Sequence, residues 1–456
     1  MARLPRVVIG APASGHGKTT ISAGLMAALR ARGRTVAPAK VGPDYIDPGY
    51  HTLATGRPGR NLDPVLCGED RIVPLLLHGA VGADLAMIEG VMGLFDGQFN
   101  TDGFGSTAHV AKLTRSPVVL VVDISHTSRT VAAWVHGLAT FDPAVRVAGV
   151  ILNKAGSQRH ADEAVRAMQE TGVPVLGVLT RDSGIIAPSR HLGLVPVAER
   201  PEAATEIERL VDLLAAEIDL DHLVAIAESA PPLDGQAWDP VAEVAPGAGE
   251  PLIAVAGGRA FTFRYPENTE LLAAAGCRIA EFDPLTDTAL PAETSGILLG
   301  GGFPEVYAES LAANAALTAD LATRIGAGTP TVAECAGLLY LARTLDEHAM
   351  AGVLPADAAM HAKLTLGYRT AIAPADTLLA AAGTRAKGHE FHRTRINPAA
   401  GDAPAWLLDG RPDGFGSRSM HASYLHLHWA GFPDMARRFA AAAADYSMRI
   451  SPEGAQ

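Results

Sequence analysis

Residues 6–20, RVVIGAPASGHGKTT, join an apolar, β-branched run to a Gly-rich turn that opens a helical pattern, TTISAGLMAALRARG (19–33). No other stretch narrows the fold so far. A strand that enters such a turn, ends it in Lys-Thr and leaves as a helix is a phosphate-binding loop, a device of parallel sheets crossed by helices. Its glycines let backbone N–H groups turn inward onto phosphate oxygens, and the helix N-terminus adds a favourable dipole. Ser14, Gly15, Gly17, Lys18, Thr19 and Thr20 are therefore expected to bind ATP, with Lys18 on the β- and γ-phosphates and the Thr19 hydroxyl on Mg²⁺. Pro12 stands where the usual pattern has its first Gly, so an ordinary Gly-rich strand–helix turn is the alternative.

The rest of the first half fits the same architecture. TVAPAKVG (35–42), DLAMIEGV (84–91), PVVLVVDI (117–124), RVAGVILNK (146–154) and VPVLGVLT (173–180) read as buried strands separated by helical segments. That alternation implies a parallel sheet covered on both faces. The pattern dissolves in the Pro/Gly/Ala-rich stretch 231–250, which reads as a linker. A second alternation runs from LIAVAGG (252–258) to about residue 450. The expected fold is α/β in two domains, 1–230 and 251–450, each a mainly parallel sheet with helices on both faces. A length of 456 residues suits two cores.

Composition excludes some functions. A net charge of −12 argues against a nucleic-acid partner, which needs a basic face for phosphates. Three widely spaced cysteines fit a reducing cytoplasm, and no apolar run is long enough to span a bilayer. A cytoplasmic protein without membrane partners is expected, and a homodimer is compatible with the sequence.

Three acids fall just beyond strand ends: Asp44 and Asp47 in KVGPDYIDP (40–48), and Glu89 in MIEGVMGLFDG (87–97). Ligands of open parallel sheets sit at that end, and Mg²⁺ takes one or two carboxylates beside phosphate oxygens. Glu89 is the metal-ligand candidate; Lys40 and Asp123 are secondary candidates for the same pocket. Asn153 in LNKAG could read a nucleotide base or simply form a turn. In the second domain, VAECAGL (332–338) puts Cys335 at the end of an apolar strand before a small-residue turn and a helix, the arrangement of an exposed nucleophile. ASYLHLHWA (422–430) offers His426 and His428 on one face of a strand as bases, and GILLGGGFPE (296–305) an oxyanion-binding turn. A structural buried cysteine is the alternative for Cys335; Cys67 and Cys277 read as packing residues.

With these motifs in place, the chain resembles the cobyrinic and hydrogenobyrinic acid a,c-diamide synthases over nearly its whole length. SGHGKTT, KVGPDYIDPGYH, GRNLDP, EGVMGLFDG, GSTAHVAKL, GVILNK, RHLGLVP, FRYPENTELL, GGGFPEVYA, AECAGLLYL and ASYLHLHW carry the resemblance. It implies a dethiobiotin-synthetase-like domain joined to a class I glutamine amidotransferase domain. It also implies a ligase that amidates the a- and c-acetates of a corrin ring acid with glutamine and ATP·Mg²⁺, in cobalamin biosynthesis. Cys335 matches the glutaminase nucleophile and His426 its base. Asp44, with Thr19 and Glu89, is assigned to the metal, and Asp47 to the phosphorylated intermediate. Tyr45, Ile46 and His51 are assigned to the ring. Where ordinary class I enzymes carry a Glu two residues after the histidine, this chain has His428. A cobyric acid synthase, which amidates other side chains of the ring, is one rival. A partitioning-type ATPase with a degenerate amidase domain is another, disfavoured because Ala13 stands where that class has a lysine.

Overall fold

All five residues of β1 (Arg6–Gly10) are buried, as expected of a strand covered on both faces in mid-sheet. In this computed structural model, which describes residues 2–181, 189–190, 193–247 and 249–450 (at 189–190 and 193–194 the backbone), β1 is the central strand of seven. The others are β2 (Val36–Val41), β3 (Arg60–Leu62), β4 (Leu85–Glu89), β5 (Val118–Asp123), β6 (Val147–Ala155) and β7 (Val175–Thr180). Their order is β3-β2-β4-β1-β5-β6-β7, and every pairing is parallel. His191 and Leu192 of the RHLGLVP motif lie outside the described residues.

Register decides which side chains meet. Glu89 stands beside both Ile9 and Lys40, Gly10 beside Leu120, and Asp123 beside Asn153. The carboxyl ends of the central strands thus present the phosphate loop, Glu89, Lys40 and Asp123 along one edge of the sheet, on either side of the point where the strand order turns back. Two helices complete that edge. Helix α1 (Lys18–Ala31) starts directly after Gly17, and α2 (Asp47–Thr55) follows the turn after β2. Gly24 lets α1 lie close to the helix Ala203–Glu217, since a Cβ there would fall 2.4 Å from Leu214 Cδ1.

The chain forms two units, Met1–Trp238 and Asp239–Gln456. Within residues 231–250, Leu233 pairs with Ala2 through two backbone hydrogen bonds, and the Trp238 amide donates to Pro74 at 2.9 Å. The second unit has a six-stranded sheet in the order 278–282, 252–256, 294–299, 331–334, 420–423, 415–416. It is parallel except for its last pair. A second, mostly antiparallel sheet interrupts the expected alternation. Its main feature is the long hairpin of Asp357–Ile372 and Arg385–Asn397. Much of the first strand is exposed, so it carries no apolar stripe that would announce it. Among the described residues, no helix is long and apolar enough to cross a membrane.

The buried β1 includes a cation. Arg6 is fully buried and donates to the carbonyls of Thr114 (2.6 Å), Leu4 (2.8 Å), Arg115 (3.3 Å) and Pro231 (2.7 Å). Burial, with Arg115 nearby, pushes its pKa down to about 10, still charged at neutral pH. Arg6 thereby ties residue 231 to the start of the sheet. Arg6→Met, which leaves those carbonyls without a donor, is expected to destabilise the first unit by about 3 kcal/mol, read as a lowered denaturant midpoint. A change below about 0.5 kcal/mol, typical of a surface position, would contradict this account of Arg6.

Candidate active site

At the sheet edge of the first unit, Gly15 and Gly17 adopt φ of 86° and 93°, the left-handed conformation that glycine adopts without strain. Gly17 also has no room for a side chain, because a Cβ there would lie 2.6 Å from Asn153 Nδ2. Asn153 donates to the His16 carbonyl at 2.9 Å, and His16 Nδ1 accepts from the Asp123 amide at 2.8 Å. Strands β5 and β6 therefore brace the loop from outside. Lys18 folds across it, donating to Met92 O (2.6 Å) and Ala13 O (3.2 Å). Burial and the nearby Lys40 push the Lys18 pKa down to about 8.

The acids gather around Lys40, which is only 3% exposed. Its ammonium lies 2.9 Å from Asp47 Oδ2, 3.1 Å from Glu89 Oε1 and 2.9 Å from the Gly90 carbonyl. Thr19 Oγ1 joins the same two carboxylates at 2.7 Å (Glu89) and 3.1 Å (Asp47). On the far side of Glu89, His51 Nε2 meets Oε2 at 2.6 Å, with both side chains fully buried. Burial opposes the charge on Glu89, but Lys40, His51 and Thr19 outweigh it and hold the acid below the usual carboxylate range. Asp47 goes the other way: burial and Asp44 push it up, against the pull of Lys40. Lys40 itself is raised, since its acidic neighbours outweigh burial.

Asp44 plays a different part from its neighbour. Its Oδ1 accepts from the backbone N–H of Ile46 and of Asp47, both at 2.9 Å, while Oδ2 stays 4.0 Å from Lys40. It braces the entry to α2 as an aspartate turn does. The hydroxyl of Thr19 thus meets Asp47 and Glu89, not Asp44. Oxygen donors on three elements, clustered about a buried cation, make a set suited to a hard divalent ion such as Mg²⁺. His51, assigned to the ring on the sequence, has no exposed surface with which to touch one. Tyr45 and Ile46 are also buried, at 8% and 6% exposure.

In the second unit, Cys335 sits between the strand Thr331–Glu334 and the helix Ala336–Leu341 with φ 48° and ψ −97°. This is a strained backbone for a side-chain-bearing residue, costing about 1–3 kcal/mol. Burial, with Glu305, pushes the thiol well above the usual range, and backbone hydrogen bonds from Gly302 and Ala336 offset this only in part. His426 is held through its backbone, exchanging hydrogen bonds with His389 at 2.9 and 3.0 Å. Its ring lies against Gly301, where a Cβ would fall 2.2 Å from Cε1. Adjacent glycines of one turn therefore touch both the thiol and the imidazole. Burial, reinforced by His389 and His392, lowers the His426 pKa to about 3, so the ring is neutral. Cys67 and Cys277 are buried.

Residues 7–195 match the family described as the CobQ/CobB/MinD/ParA nucleotide binding domain, and residues 252–433 the CobB/CobQ-like glutamine amidotransferase domain. The chain is 58% identical to the hydrogenobyrinate a,c-diamide synthase of Thermobifida fusca, over 97% of each chain. It is 53% identical to that of Streptomyces coelicolor, over 96% of this chain and 97% of the other. It is 41% identical to the cobyrinate a,c-diamide synthase of Dehalococcoides mccartyi, over 97% and 99%. The chain belongs to the a,c-diamide synthase family.

Within this family framework, Lys40 is the residue that sequence reasoning undervalued. Its place at the end of a strand was visible, but its role as the common partner of Asp47 and Glu89 depends on register. His51 had a signal: it lies four residues after Asp47, hence on the same face of α2. For the loop, Gly17→Ala is expected to weaken ATP binding tenfold or more, about 1.4 kcal/mol, in isothermal titration. Unchanged affinity would mean that phosphates do not use this turn.

Proposed function

We propose that the protein amidates the a- and c-acetate carboxylates of hydrogenobyrinate, using ATP and the amide nitrogen of glutamine. The observation that carries this reading is the presence on one chain of two chemically complementary sites. One is a phosphate loop whose Thr19 meets Asp47 and Glu89 around Lys40; the other is a strained Cys335 hydrogen-bonded by Gly302. The first suits phosphoryl transfer to a carboxylate, the second release of ammonia from an amide. The relatives named for hydrogenobyrinate, at 58% and 53% identity, favour the metal-free ring over cobyrinate.

In the first unit, Lys18 and the loop amides would hold the β- and γ-phosphates, and Thr19, Asp47 and Glu89 are the residues that would hold Mg²⁺. Bound there, the ion would offset negative charge on the transferring phosphoryl group. A ring acetate oxygen attacks the γ-phosphorus and ADP departs, giving an acyl phosphate. Lys40 offers a second fixed positive charge to that intermediate. His51 holds Glu89 in place from behind.

In the second unit, Cys335 attacks the glutamine side-chain amide as His426 takes the thiol proton. The proton passes to the leaving nitrogen, ammonia departs and a thioester remains for water to hydrolyse. Amides at Gly302 and Ala336 face the sulfur and lower the cost of its thiolate. Ammonia then attacks the acyl phosphate carbonyl and inorganic phosphate leaves. Two rounds give the diamide.

Mass spectrometry of products formed with ATP, glutamine and either hydrogenobyrinate or cobyrinate tests the reading. Two successive OH-to-NH₂ exchanges on hydrogenobyrinate are expected, and exchange on cobyrinate alone would reverse the choice of ring. Cys335→Ala should abolish glutamine-dependent amidation and spare the ammonia-dependent reaction. Loss of both would show that the thiol does something other than release ammonia. Glu89→Gln should reduce both by at least about a hundredfold, measured with ammonia as donor to isolate the first unit.

A further inference from the structure

His426 lacks the glutamate that ordinary class I amidotransferases place two residues downstream, where this chain has His428. His428 is engaged elsewhere. Its Nε2 lies 3.7 Å from Glu267 Oε2, and its ring packs on Tyr265 with centroids 4.3 Å apart. Other nearby acids are also committed. Glu390 pairs with Arg369 at 2.6 Å, and Asp413 accepts from Ser423 Oγ at 2.6 Å.

Glu334 differs from these. It ends the strand that delivers Cys335, and it pairs in register with Ser423, three residues before His426. The backbone of Leu427 hydrogen-bonds its carboxyl group. Its Oε2 lies 3.9 Å from His426 Nδ1, while Oε1 is buried without a hydrogen-bond partner among the described residues. The imidazole therefore has the Gly301 backbone against it and a buried carboxyl group near Nδ1. Catalytic hydrogen bonds are often long in an unliganded site and shorten when substrate binds, so 3.9 Å is within reach.

We propose that Glu334 is the positioning residue of the glutaminase site, performing from the residue before the nucleophile the task that class I relatives give to a glutamate after the histidine. The inference rests on the reading of Cys335 as nucleophile and His426 as base. Glu334 accepts the Nδ1–H of His426, which fixes the tautomer whose Nε2 lone pair can take the thiol proton. When that proton arrives, the imidazolium is balanced by the Glu334 carboxylate. The proton then leaves on ammonia, and His426 returns to its neutral form. Burial disfavours charge on both groups, pushing Glu334 up to about 8 and His426 down to about 3; the ionised fraction of Glu334, which grows as pH rises toward 8, is the form that accepts the Nδ1–H and balances the imidazolium.

The test uses the full chain and compares Glu334→Gln, Glu334→Asp and Cys335→Ala. Steady-state glutamine hydrolysis is measured beside ammonia-dependent amidation of the ring acid. Glu334→Gln is expected to lower glutaminase kcat by about thirtyfold or more, with KM within about threefold and ammonia-dependent turnover intact. Glu334→Asp, which keeps an ionisable acceptor, should recover part of the loss. The proposal is overturned if Glu334→Gln keeps kcat within about twofold, or if Glu334→Asp is as impaired as Glu334→Gln. A rise in KM without loss of kcat would also overturn it, as a packing or binding role would give. If Cys335→Ala still hydrolyses glutamine, the assignment of the nucleophile fails first, and the position of Glu334 fails with it.

Discussion

One buried ammonium group organises the first active site. Taking Asp47 and Glu89 out of water costs several kcal/mol for each charge. Placed side by side they would also repel, and one would take up a proton. Lys40 lies within about hydrogen-bonding distance of both and of the Gly90 carbonyl, and Thr19 adds a hydroxyl to the same pair. Lys40 pulls both acids down, but Glu89 also has His51 and Thr19 and is held down, whereas burial and Asp44 push Asp47 up. A second cation with its phosphate ligands would resolve that imbalance. In the proposed reaction that cation would be the metal of the bound nucleotide, and Lys40 would face the acyl phosphate.

Parallel pairing makes this possible. Lys40 on β2 and Glu89 on β4 are register partners, so their side chains leave the sheet at the same level. Asp47 and His51 are four residues apart on α2 and reach the cluster from one helix face. The second unit solves a similar problem differently. There a backbone kink at Cys335 and a run of glycines place amide donors at the thiol and a glycine against the imidazole, with no buried cation of that kind at the thiol among the described residues.

The sequence made legible whatever is encoded locally. The phosphate loop, the Cys335 turn and the alternating strands of the first half are each written within a dozen residues. It was less informative where neighbours are set by the third dimension. Nothing in KVGPDYIDP says that Asp44 turns back to the backbone and Asp47 faces Thr19, although an acid two and three residues before the amides it caps is a recognisable turn pattern. His51 was misplaced because its burial depends on α2 packing over β2 and on the Glu89 carboxylate that β4 brings to it. Glu334 drew no attention for a related reason. Strand alternation sends it to the face opposite its neighbours, and only the folded chain shows that His426 lies 3.9 Å away. The hairpin 357–397 was missed because its first strand is largely exposed and its second buries mostly polar and charged side chains, so neither carries an apolar alternation.

The central claim is that the Lys40 site drives amidation by phosphorylating a carboxylate. Hydrogenobyrinate labelled with ¹⁸O in its acetate carboxylates, incubated with ATP and ammonia, tests it without involving the glutaminase. If the acyl phosphate forms, each amidation transfers one carboxylate oxygen to phosphorus, and the inorganic phosphate released carries one ¹⁸O per turnover. Unlabelled phosphate accompanying amide formation would contradict the account and require ATP to be spent elsewhere in the cycle.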